Sequence, residues 1–79
     1  MFRENYMEVC LKTKDAVQHL KLQGFLKRSD ILIRSEFIHN RDEQFGMFMV
    51  VVDGKGLALL KQHEDLFDKI DVLEDDSIR

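Results

Sequence analysis

The run Phe45-Gly46-Met47-Phe48-Met49-Val50-Val51-Val52 contains seven large apolar side chains, one glycine and no charge. Side chains alternate across a β-strand, so a strand of this composition is apolar on both of its faces. A chain of 79 residues with few helices can barely cover both faces of one sheet. We therefore predict a sheet with one face packed by helices and a second, apolar face that another molecule covers.

The segments around this run predict three further strands. Residues 6–12 alternate apolar and polar side chains, which is typical of a strand with one apolar face. Residues 31–39 predict a second strand, and the polar residues 40–44 predict a hairpin turn between it and the run 45–52. Residues 69–74 predict a short last strand, without which the sheet would have three strands and an exposed edge.

Two helices are predicted between the strands. Asp15, or its rival Thr13, has a side chain that can cap the first helix, which we expect over residues 15–23. Gly24 follows at the position where a left-handed residue closes the last turn. Residues 57–67 carry apolar side chains on one side and polar side chains on the other, which indicates an amphipathic second helix.

The order strand, helix, strand, strand, helix, strand is typical of a ferredoxin-like βαββαβ fold in the α+β class. Its closure is an antiparallel sheet with two helices on one face. Right-handed crossovers then place the first and third strands in the middle. The length fits a single domain over residues 1–79, in which residues 75–79 are expected to fray.

The side chains on the second sheet face follow from the register of the hairpin. Pairing Asn40 with Gln44 turns Met47 and Met49 toward the helices. On this register the partner-binding residues of the second face are Phe48, Val50, Val52, Leu32, Arg34, Glu36 and Tyr6. A slip of one residue would exchange the two sets of side chains. In another arrangement, the C-terminal segment or the loop 25–30 folds over this face.

Charge is distributed unevenly along the chain, whose net charge is −3. Residues 1–41 carry eight Lys and Arg against five Asp and Glu, whereas residues 42–79 carry four against ten. The acidic half includes an acidic edge formed by Glu64, Asp65, Asp68, Asp71 and Glu74. This edge could steer a basic protein partner, although a solvated helix and tail explain the same residues. The net acidity argues against general affinity for nucleic acid.

The residues that carry chemistry do not form an active site in the sequence. Cys10 lies in mid-strand with no histidine placed beside it, and His19, His39 and His63 lack the spacing of metal ligands. Gly54-Lys55-Gly56 precedes a helix but is too short for a phosphate-binding loop, which favours a sharp turn. We therefore expect a protein that is not an enzyme and has no cofactor or metal.

The single cysteine cannot form an internal disulfide, which favours a reducing, cytoplasmic location. The N-terminus shows no signal-peptide pattern, and the apolar stretch 47–52 is too short to span a bilayer. We therefore expect no association with a membrane.

Residues 44–50 share Phe45-Gly46 with the third-strand motif of RNA-recognition modules, which have the predicted fold. Glu43 replaces the basic residue of that motif, Gln44 replaces its first glycine, and Met47 replaces its next aromatic residue. The resemblance is therefore confined to two positions.

Protein binding is the function that these features favour. We expect a small regulator or inhibitor of a protein target that also forms a homodimer through its apolar sheet face. The alternative is an RNA- or single-stranded-nucleic-acid-binding module. Such a module would stack bases on Phe48 and Tyr6 and use the basic residues within 27–41.

Overall fold

The chain forms four strands and two helices over the residues that the computed structural model describes, 6–41 and 44–75. In chain order the elements are β1 (Met7–Thr13), α1 (Ala16–Arg28), β2 (Leu32–Arg41), β3 (Gln44–Val52), α2 (Gly54–Lys61), a 3₁₀ turn (Glu64–Leu66) and β4 (Lys69–Asp75). The class is α+β, as the sequence predicts. Residues 76–79, which belong to the segment predicted to fray, lie outside the described residues.

The strands form one antiparallel sheet in the order β2-β3-β1-β4. β1 and β3 occupy the middle, as the crossover rule predicts, so the most apolar strand has a neighbour on each side. The last strand predicted over residues 69–74 is confirmed as β4, which pairs with β1.

α1 begins at the predicted cap and ends later than predicted. Asp15 is the cap, because its Oδ1 accepts a hydrogen bond of 2.8 Å from the backbone N–H of Gln18. The helix then runs through Gly24 to Arg28, so the predicted end before the glycine is wrong.

The burial of the two residues after Gly24 explains why α1 continues past this glycine. Phe25 and Leu26 follow Gly24 directly and are 8% and 0% exposed. Burying such side chains contributes about 1.5–3 kcal/mol each, which exceeds the ~1 kcal/mol cost of a glycine in a helix. The helix ends where Asp30 adopts a left-handed conformation, with φ 62°, and the backbone N–H of Ile31 donates to the carbonyl of Leu26 at 3.0 Å.

α2 begins earlier and ends earlier than the predicted segment 57–67. Asp53 caps it, because its Oδ1 accepts a hydrogen bond of 2.8 Å from the backbone N–H of Gly56. The helix ends at Lys61, and the 3₁₀ turn then brings Phe67 into the core, where it is 6% exposed.

One hydrophobic core lies between the sheet and the helices. Its buried members are Val9, Leu11, Leu22, Phe25, Leu26, Phe48, Val50, Val52, Leu60 and Phe67. Because β1, β3, α1 and α2 all contribute to this core, both helices pack on the same sheet face, as predicted.

β3 turns toward the helices the side chains that were predicted to face away from them. Phe48 and Val50 are 0% exposed and Val52 is 3% exposed. The central pairing of the predicted hairpin is correct, since Ser35 lies opposite Met49. The assignment of faces is wrong, and these three core residues have almost no surface to offer a partner.

Gly46 explains which set of side chains faces the helices. It lies opposite Thr13 on the helix-covered face, beneath His19 of α1. A Cβ at this position would lie 2.9 Å from Cε1 of His19, closer than real Cβ contacts come. The only glycine of the strand therefore lies where the helix approaches, and alternation from it places Phe48 in the core.

β2 contains a bulge that divides its predicted partner-binding residues. The pairing with β3 shifts between Ile33 and Ser35. After the bulge, Glu36 lies opposite the buried Phe48 on the helix-covered face, so its predicted place on the second face is wrong. Leu32 points away from the helices, as predicted, and is 64% exposed.

Candidate interaction surface

The sheet face opposite the helices, here named the outer face, is covered by no helix in the described parts of the chain. The register arranges its side chains in three rows: Leu32, Val51 and Glu8; Ser35, Met49, Cys10 and Asp71; and Phe37, Met47, Lys12 and Lys69. The loop 25–30, one of the predicted covers, belongs mainly to α1 and lies on the other face.

The β2–β3 half of the outer face is apolar. Leu32 and Phe37 are 64% and 49% exposed, and Met47, Met49 and Val51 beside them are partly buried. A contiguous set of exposed apolar side chains is typical of an interaction site. Methionine suits such a site because its flexible, polarizable side chain adapts to the shape of a partner.

The β1–β4 half of the outer face is charged. Glu8 lies at one end of this half, and Lys12 lies at the other end beside Lys69. Asp71 lies between them on β4, opposite Cys10. The negative charge of Glu8 and the positive charges of Lys12 and Lys69 therefore lie at opposite ends of the strands.

Arg34 connects the two halves of the outer face. It is the bulged residue of β2, and its Nη1 lies 3.0 Å from Oε2 of Glu8, two strands away. The arginine side chain is 65% exposed, so the ion pair adds little to stability. The role of Arg34 as a partner-binding residue stays a prediction.

Cys10 lies near the centre of the outer face and is 6% exposed. Its Sγ lies 3.6 Å from Sδ of Met47. Burial raises the pKa of the Cys10 thiol; the charge of Lys12 lowers it and that of Asp71 raises it, with a net rise. A thiol with a raised pKa holds its proton at neutral pH and is a poor nucleophile, which supports the structural interpretation of Cys10.

The remaining predicted residues lie at the margins of the molecule. Tyr6 precedes β1 and is 44% exposed. The predicted acidic edge is divided between the 3₁₀ turn (Glu64 and Asp65), the residue before β4 (Asp68) and the edge strand β4 itself (Asp71 and Glu74).

A buried polar cluster that the sequence does not predict lies on the helix-covered face. His19 is 1% exposed and stacks on Phe48, with 4.3 Å between ring centroids. Its Nδ1 lies 2.7 Å from Oγ1 of Thr13, and its Nε2 lies 2.7 Å from Oε2 of Glu36. The one sequence signal for this cluster is that His19 shares a helical stripe with Leu22.

The hydrogens that each group carries determine which group donates and which accepts in these hydrogen bonds. A carboxylate only accepts, so Nε2 of His19 donates to Glu36. Oγ1 of Thr13 has one hydrogen, and it lies within hydrogen-bond distance of both Nδ1 of His19 and the carbonyl oxygen of Gly46, the latter at 3.2 Å. The hydroxyl can donate to only one of these two acceptors at a time.

The cluster combines a hydroxyl, an imidazole and a carboxylate, as nucleophile relays do. Thr13 is 0% exposed, however, and His19 is 1% exposed, so a substrate has no access to the hydroxyl. The bonds instead connect α1 to β1 and β2. The cluster is therefore a device that positions the first helix on the sheet.

Two other kinds of site, an anion site at the start of α2 and a metal site, find no support in the described residues. The carboxylate of Asp53 occupies the N-terminus of α2, where an anion would otherwise bind, which favours a turn at Gly54-Lys55-Gly56. Within residues 6–41 and 44–75, no three His, Cys, Asp or Glu side chains are grouped to hold a metal ion. The described part of the chain has no helix long and apolar enough to cross a membrane.

Comparison of the chain with protein-family models, with curated proteins and with solved structures gives no match. The case for a function therefore rests on the surface and the chemistry of the chain itself.

Proposed function

We propose that this protein is a non-enzymatic binding protein that regulates or inhibits its target by contact through the outer face. The observation that carries this proposal is the apolar half of that face. Five neighbouring apolar side chains of β2 and β3 lie there with no helix over them, namely Leu32, Phe37, Met47, Met49 and Val51. The surrounding charges of Glu8, Lys12 and Arg34 would set the specificity of the contact.

The architecture supports the finer fold assignment within this proposal. The strand order β2-β3-β1-β4, joined as βαββαβ, supports a ferredoxin-like fold, in which one sheet face is free of helices. We propose that fold for the chain. The cytoplasmic location favoured by its single cysteine stays a prediction.

Two features of the chain support contact over catalysis. The hydroxyl of Thr13 and the imidazole of His19, which could act together with the carboxylate of Glu36, are closed to solvent. The only thiol, at Cys10, has a raised pKa. The five residues of the predicted acidic edge favour a basic target, because their carboxylates add negative potential to the chain.

The nucleic-acid alternative loses its main aromatic side chain, since Phe48 lies in the core with no exposed surface. The centre of the outer face contains Met49 and the buried Cys10, neither of which provides a ring, so stacking of a base on the three rows of this face would be confined to Phe37 on the edge strand β2, which is 49% exposed.

Capture of proteins from a cell lysate tests the proposed function. The baits are the wild type, Met49→Glu in the middle of the outer face, and Leu20→Glu as the matched control. Leu20 is 65% exposed on α1, away from the outer face. We expect a protein retained by the wild type and by Leu20→Glu, and lost with Met49→Glu, while circular dichroism shows all three folded. Equal retention by all three baits would contradict contact through the outer face.

A further inference from the structure

We propose that the occupant of the outer face is a second copy of this chain, docked face to face about a twofold axis that runs across the strands. This inference rests on the proposed function, because it names the partner for the same surface. The axis passes over the middle row of the outer face, which contains Met49 and Cys10. Each strand then lies over the same strand of the second copy, and the two strands run in opposite directions.

Charge complementarity points to this orientation. Glu8 and Lys12 lie on β1 at equal distances from Cys10, one on each side. A twofold axis over Cys10 therefore places Glu8 of each copy opposite Lys12 of the other copy. Arg34 of the same copy already lies 3.0 Å from the carboxylate of Glu8, so in the dimer each Glu8 is shared between Arg34 and Lys12 of the other copy. This contact forms twice in a symmetric dimer, which is the condition for self-complementarity.

The apolar halves coincide in the same orientation. Because the axis runs across the strands, β2 and β3 lie over β2 and β3 of the second copy. The row of Phe37 and Met47 then faces the row of Leu32 and Val51, and Met49 faces its own counterpart. Apolar surface is buried against apolar surface over these residues, with Ser35 and Arg34 as the polar members of this half.

Rotation about an axis parallel to the strands gives a poorer match. That operation reverses the order of the strands, so with the axis over the centre of the sheet the charged strand β1 of each copy lies over the apolar strand β3 of the other. Lys12 then faces Met47 and Glu8 faces Val51, which removes water from charged groups without supplying partners for them. Asp71 lies in the middle row and approaches its counterpart in the preferred orientation, but β4 is the edge strand, where solvent screens the pair.

The size of the face sets the strength of the dimer. Four strands about 4.8 Å apart and three rows about 6.8 Å apart give an area of roughly 400 Å² per copy. This is about half of the ~800 Å² per partner found in stable complexes. An interface of this size is typical of weak, transient association, so we expect a reversible dimer that forms between about micromolar and millimolar concentration.

Sedimentation equilibrium over a wide range of concentrations tests for the dimer. We expect the mass of the wild type and of Leu20→Glu to rise from one chain to two, and Met49→Glu to remain a single chain. A wild type that stays monomeric up to millimolar concentration would overturn the dimer. Dimerisation that persists in Met49→Glu would also overturn it, because the copies would then meet elsewhere, such as at the exposed edge of β2.

Charge reversal tests the orientation. Lys12→Glu alone and Glu8→Lys alone should each weaken self-association by about tenfold or more, because each places like charges opposite each other. A mixture of the two variants should regain the dimer, since every facing pair is again unlike. If neither single variant weakens association while Met49→Glu abolishes it, the axis runs parallel to the strands and the proposed orientation is wrong.

The two proposals can fail separately. A monomeric wild type that still captures a protein through Met49 would overturn the dimer and leave the proposed function standing. A dimer that responds to the charge reversals, without capture of any other protein, would support the second copy as occupant and contradict regulation of a separate target.

Discussion

Gly46 and His19 show how one residue determines the orientation of a strand. The ring of His19 occupies the space where a side chain at residue 46 would lie, and the carbonyl oxygen of Phe37 would lie 2.5 Å from an added Cβ. That oxygen belongs to the backbone of the sheet and cannot move aside easily. A single glycine in an otherwise apolar strand is often the position that another element approaches closely, but only the folded chain shows from which face the approach comes.

Gly46→Ala should therefore destabilise the protein. We expect a loss of about 2–4 kcal/mol in the free energy of unfolding, since both His19 and the β2 backbone must shift. Urea denaturation followed by circular dichroism measures the change. A loss below ~0.5 kcal/mol would show that the position of the His19 ring does not require the space left by the missing side chain at residue 46.

The hydroxyl of Thr13 is a second test of the buried cluster. Thr13→Val keeps the shape of the side chain but leaves Nδ1 of His19 without its 2.7 Å partner. We expect a loss of about 1–3 kcal/mol in the free energy of unfolding.

A double-mutant cycle with Glu36→Gln gives the control for this effect. The carboxylate of Glu36 bonds the other nitrogen of the same ring, so the two substitutions should be non-additive. Additive losses in the free energy of unfolding would indicate that Thr13 and Glu36 are not coupled to each other through His19.

Because of Cys10, the free energy of unfolding should depend on pH in the alkaline range. The pKa of the thiol is higher in the folded chain than in the unfolded chain, mainly because of burial. Its contribution to stability is therefore complete below the ordinary thiol pKa and is lost as the pH rises through the raised value. We expect the free energy of unfolding to fall more steeply from pH 8 upward in the wild type than in Cys10→Ala. Parallel curves for the two proteins would contradict this prediction.

The elements differ in how well their ends could be predicted. The start of α1 follows from Asp15, whose cap is a local interaction between near neighbours in the chain. Its end does not, because it depends on the packing of Phe25 and Leu26 against the sheet, which only the folded chain defines. The faces of β3 were assigned wrongly for the same reason, since the register between β1 and β3 is a long-range property.

The interior of α1 offers a stabilising substitution. Gly24 lies in mid-helix without a positive φ, and an added Cβ would meet only the guanidinium of Arg28, at 3.2 Å. Because this group is the far end of a flexible side chain, it can move away. Gly24→Ala should raise the free energy of unfolding by about 0.5–1 kcal/mol in a urea titration. The same Gly→Ala change is therefore expected to stabilise the protein at residue 24 and to destabilise it at residue 46. A loss of stability in Gly24→Ala would mean that the side chain of Arg28 cannot move away.

The whole molecule is a sheet with two different faces. The helix-covered face is closed by apolar packing and by the polar cluster of His19, whereas the outer face combines an apolar half with a charged half. The sequence predicted that a second apolar face would exist, because the run 45–52 is apolar throughout. It did not identify the residues of that face, because alternation fixes two sets of side chains without stating which set meets the helices.

A protein that dimerises through its outer face should become more stable as its concentration rises. The folded chain is the form that binds a second copy, so mass action draws the equilibrium away from the unfolded state. Between about 5 and 500 μM we expect the midpoint of thermal unfolding to rise by about 5 °C, given that 1 kcal/mol moves a domain of this size by roughly 4–8 °C. Differential scanning calorimetry measures the midpoint at each concentration. Met49→Glu should show a constant midpoint, and Leu20→Glu, which changes an equally apolar side chain on α1, should rise with the wild type. A midpoint that does not depend on concentration in the wild type would mean that folding and association are not coupled.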